Sequence, residues 1–106
     1  MKHITLKTVT LQVGDQAGEL NYKTQIMTIL GTPSNRQTGA DYEEMRKSIR
    51  LLDLLDKVPT PTTDKTESLE LEDADFEYLK ARIKEARYLL INREVMTFIE
   101  DVTAPK

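Results

Sequence analysis

The stretch Ile4-Thr5-Leu6-Lys7-Thr8-Val9-Thr10-Leu11-Gln12-Val13 decides the fold class, because its apolar residues alternate with polar ones. A period of two with β-branched residues is typical of a β-strand that buries one face. The alternation changes phase at Lys7-Thr8, which indicates a bulge or a short break. The sequence therefore predicts strand structure at the start of a chain whose later segments have helical spacing.

A turn follows this stretch at Gly14-Asp15-Gln16-Ala17-Gly18. Its glycines can adopt positive φ, and Glu19–Tyr22 can return as a second short strand. Ser68-Leu69-Glu70-Leu71-Glu72 alternates again and could pair with residues 4–13. We therefore expect a small N-terminal β-hairpin and a possible third short strand at 69–72.

Four later segments have the three-and-four spacing of helices. The first covers residues 22–30, with Asn21 as its N-cap, and the last follows Asn92. We expect Asp73 to cap the third helix. The apolar stripe of that third helix comprises Phe76, Leu79, Ile83 and Ala86. Leu89-Leu90-Ile91 is apolar throughout, so the third and fourth helices could also be continuous with a kink near this point.

The second helix has the clearest start, because Asp41-Tyr42-Glu43-Glu44 forms a capping box. We expect Leu51 and Leu54 to widen its apolar stripe. The positions in the stripe itself are Tyr42, Met45, Ile49, Leu52 and Leu55 or Asp56. Four leucines within residues 51–55 are more than one narrow face holds. This helix end is therefore buried on two sides or exposes an apolar patch. The overall prediction is an α+β fold, mostly α-helical.

Length and composition indicate how many domains the chain forms and in which compartment it is expected. The 106 residues predict one domain spanning 1–106, with an exposed Pro/Thr-rich loop at 59–67. Cysteine is absent, which removes disulfides, thiolate zinc sites and a cysteine nucleophile. No apolar run has the length of a signal peptide core or a membrane span, so we expect a cytoplasmic protein without a membrane partner.

The residues for most catalytic or metal sites are missing. His3 is the only histidine and lies at the terminus, so a two-histidine metal site or a Ser-His-Asp triad cannot form in one chain. The glycine-rich phosphate loops are absent too. Carboxylates crowd residues 67–77, but their alternating and first-turn positions favour solvated, helix-capping roles over paired-acid catalysis. We expect no enzyme activity and no cofactor.

Two surface features remain as candidate binding sites. Lys80, Arg82, Lys84 and Arg87 form a basic run, but they spread around the helix, and the net charge of −3 also disfavours a duplex-DNA partner. The leucine-rich end of the second helix is the stronger candidate for a protein contact. The residues predicted to bind a partner are Leu51, Leu54, Leu55, Arg82 and Arg87.

The order of elements resembles small proteins encoded among the structural genes of tailed bacteriophages. The segments that carry the resemblance are Ile4–Val9, Arg46–Leu55, Leu69–Asp75 and Phe76–Lys80. The turn from Asp15 to Asn21 and the Thr-rich linker at 60–66 depart from that pattern. The resemblance implies a non-enzymatic role in virion assembly or in binding a phage or host protein, in the cytoplasm of the host cell.

Three functional hypotheses follow from the sequence. The leading one is a protein-binding or assembly module of phage origin that self-associates into a homo-oligomer. The alternative is a regulator that binds nucleic acid or a host protein. A small enzyme that uses the carboxylate cluster is the third and the least supported.

Overall fold

The computed structural model describes residues 1–35, 37–88 and 92–104, and the prediction for Leu89-Leu90-Ile91 lies outside these residues. Within them the chain forms an α+β fold, as predicted. The element order is β1 (Lys2–Leu6), β2 (Thr8–Val13), β3 (Gln16–Asn21), α1 (Tyr22–Leu30), α2 (Tyr42–Asp56), β4 (Glu67–Leu71), α3 (Asp73–Glu85) and α4 (Arg93–Thr103). None of these helices has the length and apolar character needed to cross a membrane.

The N-terminal stretch is divided at Lys7, where the alternation changes phase, and its two halves enter different sheets. β1 pairs antiparallel with β4, with Ile4 opposite Leu69, so the predicted third strand pairs with the N-terminal segment. β2 and β3 form the predicted hairpin. Its turn is tighter than expected, because Val13 pairs with Gln16 and Gly14 takes a φ of 59°.

Of the four helices in the described part of the chain, three are capped by side chains as the sequence predicts. Asn21, Asp41 and Asn92 each accept a hydrogen bond from a backbone N–H in the first turn of α1, α2 and α4. The prediction for Asp73 is wrong by one residue, because Glu72 occupies the N-cap of α3 without a side-chain bond. Asp73 lies inside the first turn, where its charge still complements the helix dipole.

The core lies between the β1–β4 sheet and the helices. Tyr22, at the start of α1, is fully buried, and its ring meets that of Phe98 edge-on at a centroid distance of 4.9 Å. The Tyr22 hydroxyl donates to Asp101 of α4 over 2.9 Å, and the Lys7 ammonium lies 3.2 Å from the same carboxylate oxygen. These contacts join the break between β1 and β2 to the C-terminal helix.

The loop between α2 and β4 is exposed along most of its length, but Pro61 is fully buried. The Thr8 hydroxyl donates to the Pro61 carbonyl over 2.9 Å, which holds this loop against the start of β2. The prediction of an exposed loop at 59–67 is therefore wrong for Pro61. Proline lacks a backbone N–H, so its burial leaves no donor unsatisfied there.

Candidate protein interface

α2 carries two apolar stripes on different sides of the helix. The inward stripe is the buried set Ser48, Leu51 and Leu55, which packs into the core. The outward stripe contains Tyr42, Met45 and Ile49, whose exposed fractions are 76%, 53% and 49%. At 100° per residue, the centres of the two stripes lie about 100° apart around the helix. Leu52 also belongs to the outward stripe, at its edge nearest the inward stripe, and is half-buried.

The outward stripe has the spacing of a coiled-coil seam. Tyr42, Met45, Ile49 and Leu52 are separated by three, four and three residues, which is the a/d pattern of a heptad. Their side chains fall within about 80° of helix circumference. The outward stripe is therefore a continuous apolar strip along about three turns of an exposed helix, and it is the candidate interface.

Two opposite charges flank the outward stripe on the side away from the core. Arg46 and Asp53 are both exposed, and a separation of seven residues puts them about 20° apart around the helix. The Arg46 guanidinium also contacts Glu43 within α2, with an Nη2–Oε2 distance of 2.8 Å. Because this ion pair is exposed, it contributes little to stability and can exchange for another partner.

The predicted partner-binding leucines lie elsewhere. Leu51 and Leu55 are 1% and 0% exposed, so they are core residues and not surface contacts. Leu54 is half-buried and packs against the same core. The prediction that these leucines form a contact surface is wrong for Leu51 and Leu55, because the core of this chain covers them.

Arg82 is also inside the protein, although the sequence places it on the solvated side of α3. It is 6% exposed. Its Nη1 donates to the Ser48 hydroxyl over 2.9 Å and to the Tyr78 hydroxyl over 3.1 Å. Its Nη2 donates to the carbonyls of Ile29, over 2.8 Å, and of Thr32. The guanidinium thus caps the C-terminal end of α1 and connects it to α2 and α3.

The burial of Arg82 also breaks up the basic run. Lys84 and Arg87 are exposed and Lys80 is half-buried, so the four basic residues do not share one surface. Arg87 lies beside two open clefts of about 520 and 610 Å³ near the C-terminal end of α3. Of the predicted partner-binding residues, Arg87 is the one that the structure leaves fully on the surface.

Several carboxylates between residues 67 and 77 contact basic groups at separate places in the molecule. Asp75 receives two 3.1 Å bonds from the Arg50 Nε, which tie α3 to α2. Glu67 lies 3.4 Å from the Lys65 ammonium, and Glu70 lies 3.5 Å from His3. Among the described residues, no three potential ligands converge on a point where a metal ion would be held.

Comparison with protein-family models, with curated proteins and with solved structures gives no match. The candidate interface therefore rests on the geometry of this chain.

The sequence identifies the residues of the outward stripe but leaves open whether the apolar positions of this helix are buried or exposed. The spacing of Tyr42, Met45, Ile49 and Leu52 was sufficient to predict one continuous face. A second face, marked by Leu51 and Leu55, was also visible in the leucine-rich end. The sequence does not show which of the two faces of α2 is buried. Both faces are apolar, and only the packing of α2 against the other elements determines which one meets the core.

Proposed function

We propose that this chain is a non-enzymatic protein-binding and assembly module that self-associates through the outward stripe of α2. The observation that carries the proposal is the exposure of Tyr42, Met45 and Ile49 along one helix face. Single apolar residues scattered over a surface are ordinary, whereas a contiguous apolar strip is typical of a binding surface. A second copy supplies a strip of matching length and apolar character.

The strip is short, so the association is expected to be weak. α2 has 15 residues, which corresponds to about 22 Å of helix. Contacts limited to one helix face belong to the class of interfaces below about 1,200 Å², which are typical of weak or transient complexes. We therefore expect a dissociation constant between about 10 μM and 1 mM.

The biological setting that we propose is assembly of a virion. It follows from the resemblance to small proteins encoded among phage structural genes, and it is separable from the self-association itself. Capsid and tail genes on both sides of the coding sequence would support it. A neighbourhood of metabolic genes would contradict it and leave the self-association to be judged separately.

Two matched methionine substitutions test the surface. Met45 lies in the outward stripe and Met96 lies on α4, and their exposed fractions are 53% and 56%. We expect Met45→Glu to abolish self-association, because it places a charge in the apolar strip, and Met96→Glu to leave it unchanged. The mass measured by sedimentation equilibrium over a concentration series reports the result for both variants and the wild type.

Three outcomes would count against the proposal. A wild-type chain that stays monomeric at about 1 mM would contradict self-association with the expected dissociation constant. If both substitutions weaken self-association equally, the contact cannot be assigned to α2. An effect of Met96→Glu alone would move the contact to α4 and the cleft beside Arg87.

A further inference from the structure

The charges beside the outward stripe determine how two copies can pair. Arg46 and Asp53 occupy the same heptad position, seven residues apart, on the solvent side of the stripe. On the other side of the stripe lie Ser48 and Leu55, which are buried in the core of their own chain. Asp41 also lies on that side, but its carboxylate accepts the Glu44 N–H as the N-cap of α2. Within the helix itself, the charges beside the stripe therefore lie on the flank of Arg46 and Asp53.

Parallel pairing leaves Asp53 without a complementary partner. In a parallel helix pair, each flank contacts the opposite flank of the other helix. Asp53 would then face the buried, uncharged Ser48, and Arg46 would meet only Asp41, whose carboxylate is already bound as the N-cap of α2. In an antiparallel pair, like flanks meet, so the exposed flank of one helix faces the exposed flank of the other.

We infer that two copies pair through antiparallel α2 helices about a two-fold axis, with Arg46 of each copy against Asp53 of the other. This inference rests on the proposed self-association and names its geometry. A two-fold interface is self-complementary, so one Arg46–Asp53 contact implies a second, symmetric one. The midpoint between residues 46 and 53 falls at Ile49-Arg50, which places the axis close to Ile49.

This register brings the C-terminal half of the apolar strip to the axis. Ile49 and Leu52 of both copies meet there, while Met45 and Tyr42 lie opposite residues 54 and 57 of the other copy. To pair with Asp53 of the other copy, Arg46 needs only to release or share its exposed contact with Glu43. Complementary charges at an interface fix register and exclude wrong pairings more than they add affinity. The Arg46–Asp53 pairs therefore select the antiparallel arrangement, and the apolar strip holds it together.

Charge reversal tests the register. Arg46→Glu places two acids opposite each other, and Asp53→Arg places two cations opposite each other. Each single variant is therefore expected to weaken self-association about tenfold. Arg46→Gln, which removes the charge without adding repulsion, should have a smaller effect. The double variant Arg46→Glu/Asp53→Arg restores both pairs and should associate like the wild type.

A mixture of the two single variants is the sharpest form of the test. In the antiparallel pair, the copy with Arg46→Glu supplies two acids and the copy with Asp53→Arg supplies two cations. The mixture should form a heterodimer that is at least about tenfold tighter than either variant alone. Sedimentation of the mixture with one variant carrying a fluorophore measures this affinity, and circular dichroism verifies that each variant is folded.

The outcomes separate this inference from the proposed function. If the wild type self-associates and Met45→Glu abolishes it, but charge reversals have no effect or the mixture is no tighter, the antiparallel register is wrong and the proposed function stands. If the wild type is monomeric at about 1 mM, both are wrong. If the mixture is tighter and the double variant is restored, the register is supported.

Discussion

The burial of the Arg82 guanidinium could not be predicted from the residues around it in the sequence. Its neighbours Lys80, Lys84 and Arg87 made it look like one member of a solvated basic face. Two of the acceptors that receive its hydrogen bonds are the Ile29 and Thr32 carbonyls, about fifty positions away in the chain. The Ile29 carbonyl also accepts the Thr32 N–H over 3.2 Å, so the guanidinium is an additional donor at the C-terminal end of α1. The local sequence does not reveal this contact.

Removing the Arg82 side-chain charge should therefore destabilise the fold. We expect Arg82→Met to lower the free energy of unfolding by about 3 kcal/mol, because it removes the hydrogen bonds that the buried guanidinium donates to two hydroxyls and two carbonyls. Lys84→Met is the matched control on the exposed face of α3, with an expected effect within about 0.5 kcal/mol. Urea unfolding of both variants provides the comparison, and equal stabilities would show that Arg82 is not a structural residue.

Two tyrosines give the stability a dependence on alkaline pH. Burial raises the pKa of Tyr88 to about 12. Burial, followed by the hydrogen bond to Asp101 and its charge, raises the pKa of Tyr22 as well. In the unfolded chain a tyrosine has a pKa near 10. Both tyrosines therefore contribute stability that is complete below about pH 10 and is lost as pH rises through the folded pKa.

Replacing Tyr88 by Phe should flatten this dependence. Between about pH 10 and 12 the unfolded chain releases a proton that the folded protein retains, so unfolding becomes easier with rising pH. Tyr88→Phe removes that difference at one site. Urea midpoints measured across this range should fall less steeply for the variant than for the wild type. Parallel curves would mean that Tyr88 ionises at the same pH in both states.

At the scale of elements, α2 is the helix on which the sequence was most informative and also most misleading. Its capping residue, its length and its apolar positions are all visible in residues 41–56. Its orientation is not. Ser48, a polar residue, faces inward because the hydroxyl of Tyr78 and the guanidinium of Arg82 meet it there. The partners of Ser48 lie in α3, beyond the reach of any local pattern.

The two faces of α2 should respond differently to alanine. Leu51 is buried, so Leu51→Ala is expected to lower the free energy of unfolding by about 3 kcal/mol. Ile49 is exposed, so Ile49→Ala should change stability by no more than about 0.5 kcal/mol while weakening self-association. Unfolding at low protein concentration isolates the first effect, and sedimentation measures the second. A destabilising Ile49→Ala would place this residue in the core.

At the scale of the whole molecule, the fold class was predictable because strand and helix periods differ and each has its own end signals. The phase change at Lys7 and the glycines after Val13 gave the N-terminal strands, and Asn21, Asp41 and Asn92 gave three helix starts. The separation into two sheets was not predictable, because it depends on which strand each half of residues 4–13 meets. The candidate interface was missed for a similar reason, since the apolar pattern alone does not distinguish buried from exposed stripes.

Self-association through α2 is the central claim, and dilution monitored by amide NMR tests it most directly. Spectra recorded at about 1 mM and about 20 μM should differ at the amides of Tyr42, Met45 and Ile49 and at those of Arg46 and Asp53. Amides of the buried Leu51 and Leu55 should move less. Spectra that are identical at both concentrations, or changes confined to α4 and the cleft beside Arg87, would contradict the assignment of this face as the contact between copies.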